Sequence, residues 1–193
     1  MEEIKLSKTQ LFIYIVTLVF TFWGFLNSFR GDGLLNYRYF SNHSLLFVLA
    51  VLLIYATKLR NHFLYTYFTF ITLINILLTA VIFHILLEVD SMSFAIHNTH
   101  TLIPIFFTVF YFVVLEDAIH PKFFWTAVLY PALYLFGFLI IGALTDFYPY
   151  PFMDVSERGL GAVLVTTLII MLPLLLLISA LVLITKHHLS SEK

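Results

Sequence analysis

Leu160–Thr185 reads LGAVLVTTLIIMLPLLLLISALVLIT and carries no charged side chain. About 20 consecutive apolar residues are enough to cross the hydrocarbon core of a bilayer as a helix. Working outward from this run, five more follow the same rule: Leu11–Phe29, Ser41–Thr57, Phe63–Leu87, His97–Leu115 and Phe123–Leu144. Charge or turn chemistry bounds each of them: Arg30-Gly-Asp-Gly33, Lys58-Leu-Arg60, Glu88-Val-Asp90, Glu116-Asp117, and Asp146 through Arg158. In lipid every backbone polar group must be satisfied within its own segment, so continuous apolar runs predict helices. A β-barrel would need alternating segments of about 10 residues.

Composition agrees. The chain has 193 residues, 61% hydrophobic and 11% charged, with mean hydropathy +0.99. Soluble domains run about 45–50% apolar and about 25% charged. The expected fold is all-α: a polytopic integral membrane protein of the cell membrane, one domain of six transmembrane helices over residues 1–193. The opening MEEIKLSKTQ has no small-residue cleavage signature before the first run, which reads as a retained helix.

Sidedness follows from the basic residues. Lys5, Lys8, Lys58, Arg60, Lys122, Lys186 and Lys193 fall on the N-terminal side, against Arg30, Arg38 and Arg158 opposite. This bias places both termini in the cytoplasm. Ten Lys+Arg against 11 Asp+Glu give a net charge of −1, with no basic patch for nucleic acid. The absence of cysteine excludes disulfides, iron–sulfur clusters, thiolate zinc sites and a Cys nucleophile.

Polar residues gather at the external ends of the runs. Ser41-Asn-His-Ser44 opens the second, His84 and Glu88 close the third, and His97-Asn-Thr-His100 opens the fourth. Polar groups at membrane depth are costly unless they share partners or a wet cavity, so several at one depth suggest a pocket. Ser41 is the candidate nucleophile, because free backbone N–H groups and the positive dipole end lie near a helix start; the alternative is a simple N-cap. His100 is the candidate base, since a hydroxyl needs a neighbouring base to attack an ester; the alternative is an interfacial His at a helix start. His97 and His100 are three apart and so share a helical face. Pro104 lacks an N–H, which frees the carbonyl of His100. Asn42 or Asn98 is a candidate oxyanion donor, and His97 or Asp154 a candidate partner that orients His100. His43, His84, Tyr148, Tyr150 and Phe152 are candidates for the pocket wall. His84, Asn75 and the Thr residues of the third run are expected to hydrogen-bond between helices.

At these residues the chain resembles the bacterial Pr-six-Pr membrane proteins. Arg38-Tyr-Phe-Ser-Asn-His-Ser-Leu-Leu is similar to that family's motif at the start of helix two, His97-Asn-Thr-His-Thr-Leu-Ile-Pro104 to its helix-four motif, and Gly142-Ala-Leu-Thr-Asp-Phe-Tyr-Pro-Tyr-Pro-Phe-Met-Asp-Val155 to its loop before the last helix. The family is in turn remotely similar to the androgen-induced and androgen-dependent membrane hydrolases, which cleave fatty-acid esters of hydroxy fatty acids with a membrane-embedded Thr and a His. The resemblance puts that Thr at Ser41, that His at His100 and a Tyr-Pro-Phe at Tyr150-Pro151-Phe152. Two positions differ: Ser41 stands where those enzymes have Thr, and Ile96 where they tend to have Asn.

The function expected is hydrolysis of a lipid acyl ester by a Ser41/His100 dyad at the external ends of helices two and four, with membrane lipid or fatty-acyl ester as substrate and no cofactor or metal. Two alternatives stand beside it. One is a non-catalytic lipid-binding or transport protein. The other is a metal-dependent membrane hydrolase using His84, His97, His100 and Asp146 or Glu88.

Overall fold

The computed structural model describes residues 6–30, 33–86, 93–117 and 119–191. Every regular element among them is helical, and there is no strand. Helix α1 is Lys8–Ser28, α2 Phe40–Tyr55 and α3 Phe63–Leu86. Helix α4 is Phe94–Val113, α5 Pro121–Thr145 and α6 Val155–Ser191, the last broken at Gly159, where φ is 77° and ψ 147°. Short 3-10 turns at Gly33–Arg38 and Lys58–Asn61 flank α2. Five of the six helices are long and apolar enough to cross a membrane; α2, with 16 residues, is the shorter one. The six runs marked in the sequence are these six helices, with ends that differ by a few residues.

Local chemistry sets the ends. Ser7 and Gln10 form a capping box at α1, each side chain accepting from the other's backbone N–H at 3.2 and 3.0 Å. Ser93 caps α4 by accepting from Ile96 N–H at 3.3 Å, so α4 starts three residues before the His97 expected from the sequence. Asp146 ends α5 in the left-handed region at φ 57°, donating its N–H to the carbonyl of Gly142 at 2.8 Å.

Two prolines reshape the helices ahead of them. Asn98–Leu102 in α4 and Thr166–Met171 in α6 are π-helical. Pro104 and Pro173 each follow by two residues. A proline inside a helix has no N–H, and its ring crowds the carbonyl four residues back. Widening the preceding turn relieves the crowding. The residue before each proline then bonds five residues back: Ile103 N–H to Asn98 O, and Leu172 N–H to Thr167 O.

The chain divides into two compact units, one through Ile119 and one from His120. In the first, α1 packs on α2, α2 on α3, α3 on α4 and α4 on α1, a closed ring of four. Hydrogen bonds show that neighbours run antiparallel. Tyr14 Oη donates to Leu52 O at 3.1 Å and Gln10 Nε2 to Val113 O at 3.1 Å, joining the start of α1 to the ends of α2 and α4. Tyr65 Oη donates to Val51 O at 3.2 Å, and Thr79 Oγ1 to Ser44 Oγ at 3.1 Å. The start of α2, the end of α3 and the start of α4 therefore lie at one end of this unit. Gly24 permits the closest approach of α1 to α4, since a Cβ there would lie 3.0 Å from Asn98 Nδ2 and from Ile103 Cδ1. In the second unit the Leu172–Ser191 part of α6 packs along the Pro121–Val128 start of α5.

Candidate functional site

His100 sits inside the π turn of α4, a turn and a half from the helix start. Its Nδ1 lies 3.0 Å from the carbonyl of Ile96. A carbonyl only accepts, so Nδ1 carries the proton and Nε2 holds the lone pair of the neutral ring. Nε2 has no hydrogen bond within the described protein. The Phe83 ring stacks on the imidazole at 4.1 Å and 20°. The group that orients His100 is thus a backbone carbonyl of its own helix, in place of the His97 or Asp154 expected from the sequence.

His100 lines an open groove of about 390 Å³ between α3 and α4. His84, Thr101 and Pro104 line it beside His100, and Leu77, Ile105 and Val109 extend it as an apolar wall. His84 Nε2 lies 3.0 Å from Thr101 Oγ1. Sequence reading missed Thr101, although it is the residue next to His100. His97 does not line the groove: three residues share a face on an α-helix, but the turn between His97 and His100 is π-helical from Asn98 on.

Ser41 is the second residue of α2; Tyr39 occupies the N-cap position and makes no side-chain cap bond. Ser41 therefore does not cap the helix. Its hydroxyl is half-buried, and neither that hydroxyl nor its backbone N–H has a hydrogen-bond partner within the described protein. Ser44, one turn further on the same face, is fully buried and meets Thr79 across the interface. Phe83, one turn beyond Thr79 on α3, is the ring that stacks on His100. Ser44 and Thr79 thus tie α2 to α3 near the ring that stacks on His100, and among the described residues no hydrogen bond joins Ser41 to His100.

The other candidates are already engaged. Asn42 Nδ2 donates to Asn36 O at 2.6 Å, and Asn98 Nδ2 to Phe20 O at 3.1 Å. Among the described residues the Ser41 backbone N–H at the start of α2 has no partner. The His43 ring pairs with the carbonyl of Tyr37, outside the groove. Of the α3 residues expected to bond between helices, His84 and Thr79 do so. Thr69 bonds within its own helix to Thr66 O, and Thr72 and Asn75, fully buried, have no side-chain partner among the described residues.

Tyr148, Tyr150, Phe152 and Asp154 belong to the second unit. The Tyr148 ring lies against Gly142, and Tyr150 and Phe152 stack at 5.3 Å and 7°. Asp154 caps α6: its Oδ1 accepts from the Ser156 hydroxyl at 2.5 Å and from the N–H groups of Ser156 and Glu157 at 2.8 and 3.1 Å. The Ser156 hydroxyl, with the two N–H groups, holds this carboxyl below its ordinary range. Among the described residues no three His, Asp or Glu side chains gather closely enough to hold a metal ion; Glu88 lies outside the described residues. No protein-family model matches the chain, and comparison with curated proteins and with solved structures returned no match.

Proposed function

We propose that the chain is a six-span membrane protein, both termini cytoplasmic, that hydrolyses lipid acyl esters at the external end of its first four helices. The observation that carries this reading is His100. Its Nδ1–H is fixed by the Ile96 carbonyl, its Nε2 has no hydrogen bond among the described residues, and the residue lines an apolar groove. That is the arrangement a general base needs beside an apolar acyl chain. Ser41, with a free hydroxyl at a helix start, supplies the nucleophile. Catalytic hydrogen bonds often tighten only once substrate is bound; with the ester in place Ser41 attacks its carbonyl as His100 takes the serine proton, and the alcohol leaves with that proton. Water, deprotonated by His100, then cleaves the acyl-enzyme and restores the serine. The Ser41 N–H faces the developing oxyanion. The motifs that resemble the Pr-six-Pr proteins and the androgen-induced hydrolases point the same way, as do five helices of spanning length and the excess of basic residues on the N-terminal side.

Labelling with a fluorophosphonate serine probe tests the reading. Wild-type protein is expected to take the label; its loss in Ser41→Ala assigns the nucleophile to Ser41, and its retention there passes that role to another hydroxyl. A lipid-binding protein with the same groove would take none.

A further inference from the structure

The groove holds a hydroxyl already in reach of an imidazole, and it is not Ser41. Thr101 Oγ1 and His84 Nε2 are 3.0 Å apart, one from α4 and one from α3, and both line the groove that His100 lines. Threonines inside helices commonly return their proton to the carbonyl four residues back. Thr99 and Thr108, in the same helix, do this with Ala95 O at 3.2 Å and Pro104 O at 2.7 Å. So do Thr17, Thr145 and Thr167 elsewhere. Thr101 departs from the habit: its hydroxyl turns across the helix interface to His84. His84 is exposed, Thr101 is half-buried, and both line the groove. A nucleophile and base in hydrogen-bond reach, inside a concave apolar site, are the structural signature of covalent acyl transfer.

We infer that Thr101, activated by His84, is an acyl-accepting nucleophile of this groove, with His100 as the second imidazole of the same centre. The inference rests on the reading that the chain hydrolyses acyl esters, but it assigns the covalent step to a different oxygen. Thr101 Oγ1 bonds to the ester carbonyl carbon while its proton passes to His84 Nε2. The C–O bond to the alcohol breaks, and the alcohol leaves with that proton. Water then adds to the acyl-threonine and gives a proton to the unengaged Nε2 of His100 or to His84. The acid departs and the proton returns to Thr101 Oγ1.

The experiment is acid-quench peptide mapping of full-length protein turning over p-nitrophenyl octanoate. Wild type, Ser41→Ala, Thr101→Val, Thr101→Ser and His84→Gln are compared. Octanoyl adduct on the Thr101 peptide of wild type and of Ser41→Ala, absent in Thr101→Val, restored in Thr101→Ser and slowed at least tenfold in His84→Gln, supports the inference. Adduct confined to the Ser41 peptide overturns it and leaves the Ser41 mechanism standing. No adduct on any peptide, with no p-nitrophenol released, overturns both. If Thr101→Val is poorly folded, the adduct position in wild type and in Thr101→Ser decides.

Discussion

Gly142 and Tyr148 occupy one space: a Cβ on Gly142 would sit 2.1 Å from Cε1 of the Tyr148 ring. The ring lies on the bare backbone of α5, and the left-handed Asp146 turns the chain back to place it there. Gly142→Ala must displace an aromatic ring, and overpacking costs about 1–3 kcal/mol. The gain in helix propensity, about 1 kcal/mol, does not offset this. Gly137, in the same helix, has nothing within 4 Å of where a Cβ would lie, so Gly137→Ala should stabilise. Thermal unfolding of the two variants is expected to shift in opposite directions. Tyr148→Ala should erase most of the Gly142→Ala penalty, since the two effects are one collision.

Pro104 is expected to act on His100 through the backbone. Pro104→Ala supplies the missing N–H at the position where the π turn hands over to the α register. Regular bonding would rotate the residues ahead of it by up to one position, about 100°, and swing Thr101 away from His84. The variant should fold and insert normally, yet lose most ester turnover. Turnover at the wild-type level would show that the Asn98–Phe20 bond, not the proline, fixes the turn.

Much of the helical plan could be read directly, because six apolar runs without internal charge admit few other structures. The ends were harder. Phe94-Ala-Ile96 belongs to α4 because Ser93 caps it, and a cap three residues before the first His is hidden behind an apolar stretch. The site was legible by depth and not by rotation. Ser41, His84 and His100 do lie at one end of the first unit. Spacing rules for an α-helix put His97 beside His100, and the π turn brings Thr101 there instead. The Ile96 carbonyl that orients His100 has no signature in a sequence, since every residue carries one.

Asp154 predicts a pH dependence in the second unit. Its carboxyl is held below the ordinary value of 3.8, first by the Ser156 hydroxyl and then by backbone N–H groups. A carboxylate with a depressed folded value stabilises the fold at pH above its unfolded value, and that contribution is lost as pH falls through the folded one. The start of α6 should therefore loosen below about pH 4 in wild type. Asp154→Asn keeps a capping oxygen without the titration. Protection from hydrogen exchange at Ser156 and Glu157, taken relative to the intrinsic rate at each pH from 6 to 3, should fall in wild type and stay level in Asp154→Asn. A parallel fall in both proteins would remove Asp154 as the cause.

The proposed Ser41/His100 mechanism makes a prediction about additivity. Residues that serve one step fail as a unit, so Ser41→Ala and His100→Ala should each remove most turnover, and the double variant should be little worse than either. Ser41→Thr should retain part of the rate, because the hydroxyl survives at the same helix position. Acid should slow wild type as the imidazole is protonated, and the base is then lost. If Thr101 carries the covalent step instead, His100→Ala still slows hydrolysis of the acyl-enzyme while Ser41→Ala does nothing. The two single variants, assayed on the same p-nitrophenyl ester, then separate by the full size of the catalytic effect. A folded Ser41→Ala protein with wild-type turnover would falsify the serine mechanism and pass the nucleophile's role to Thr101.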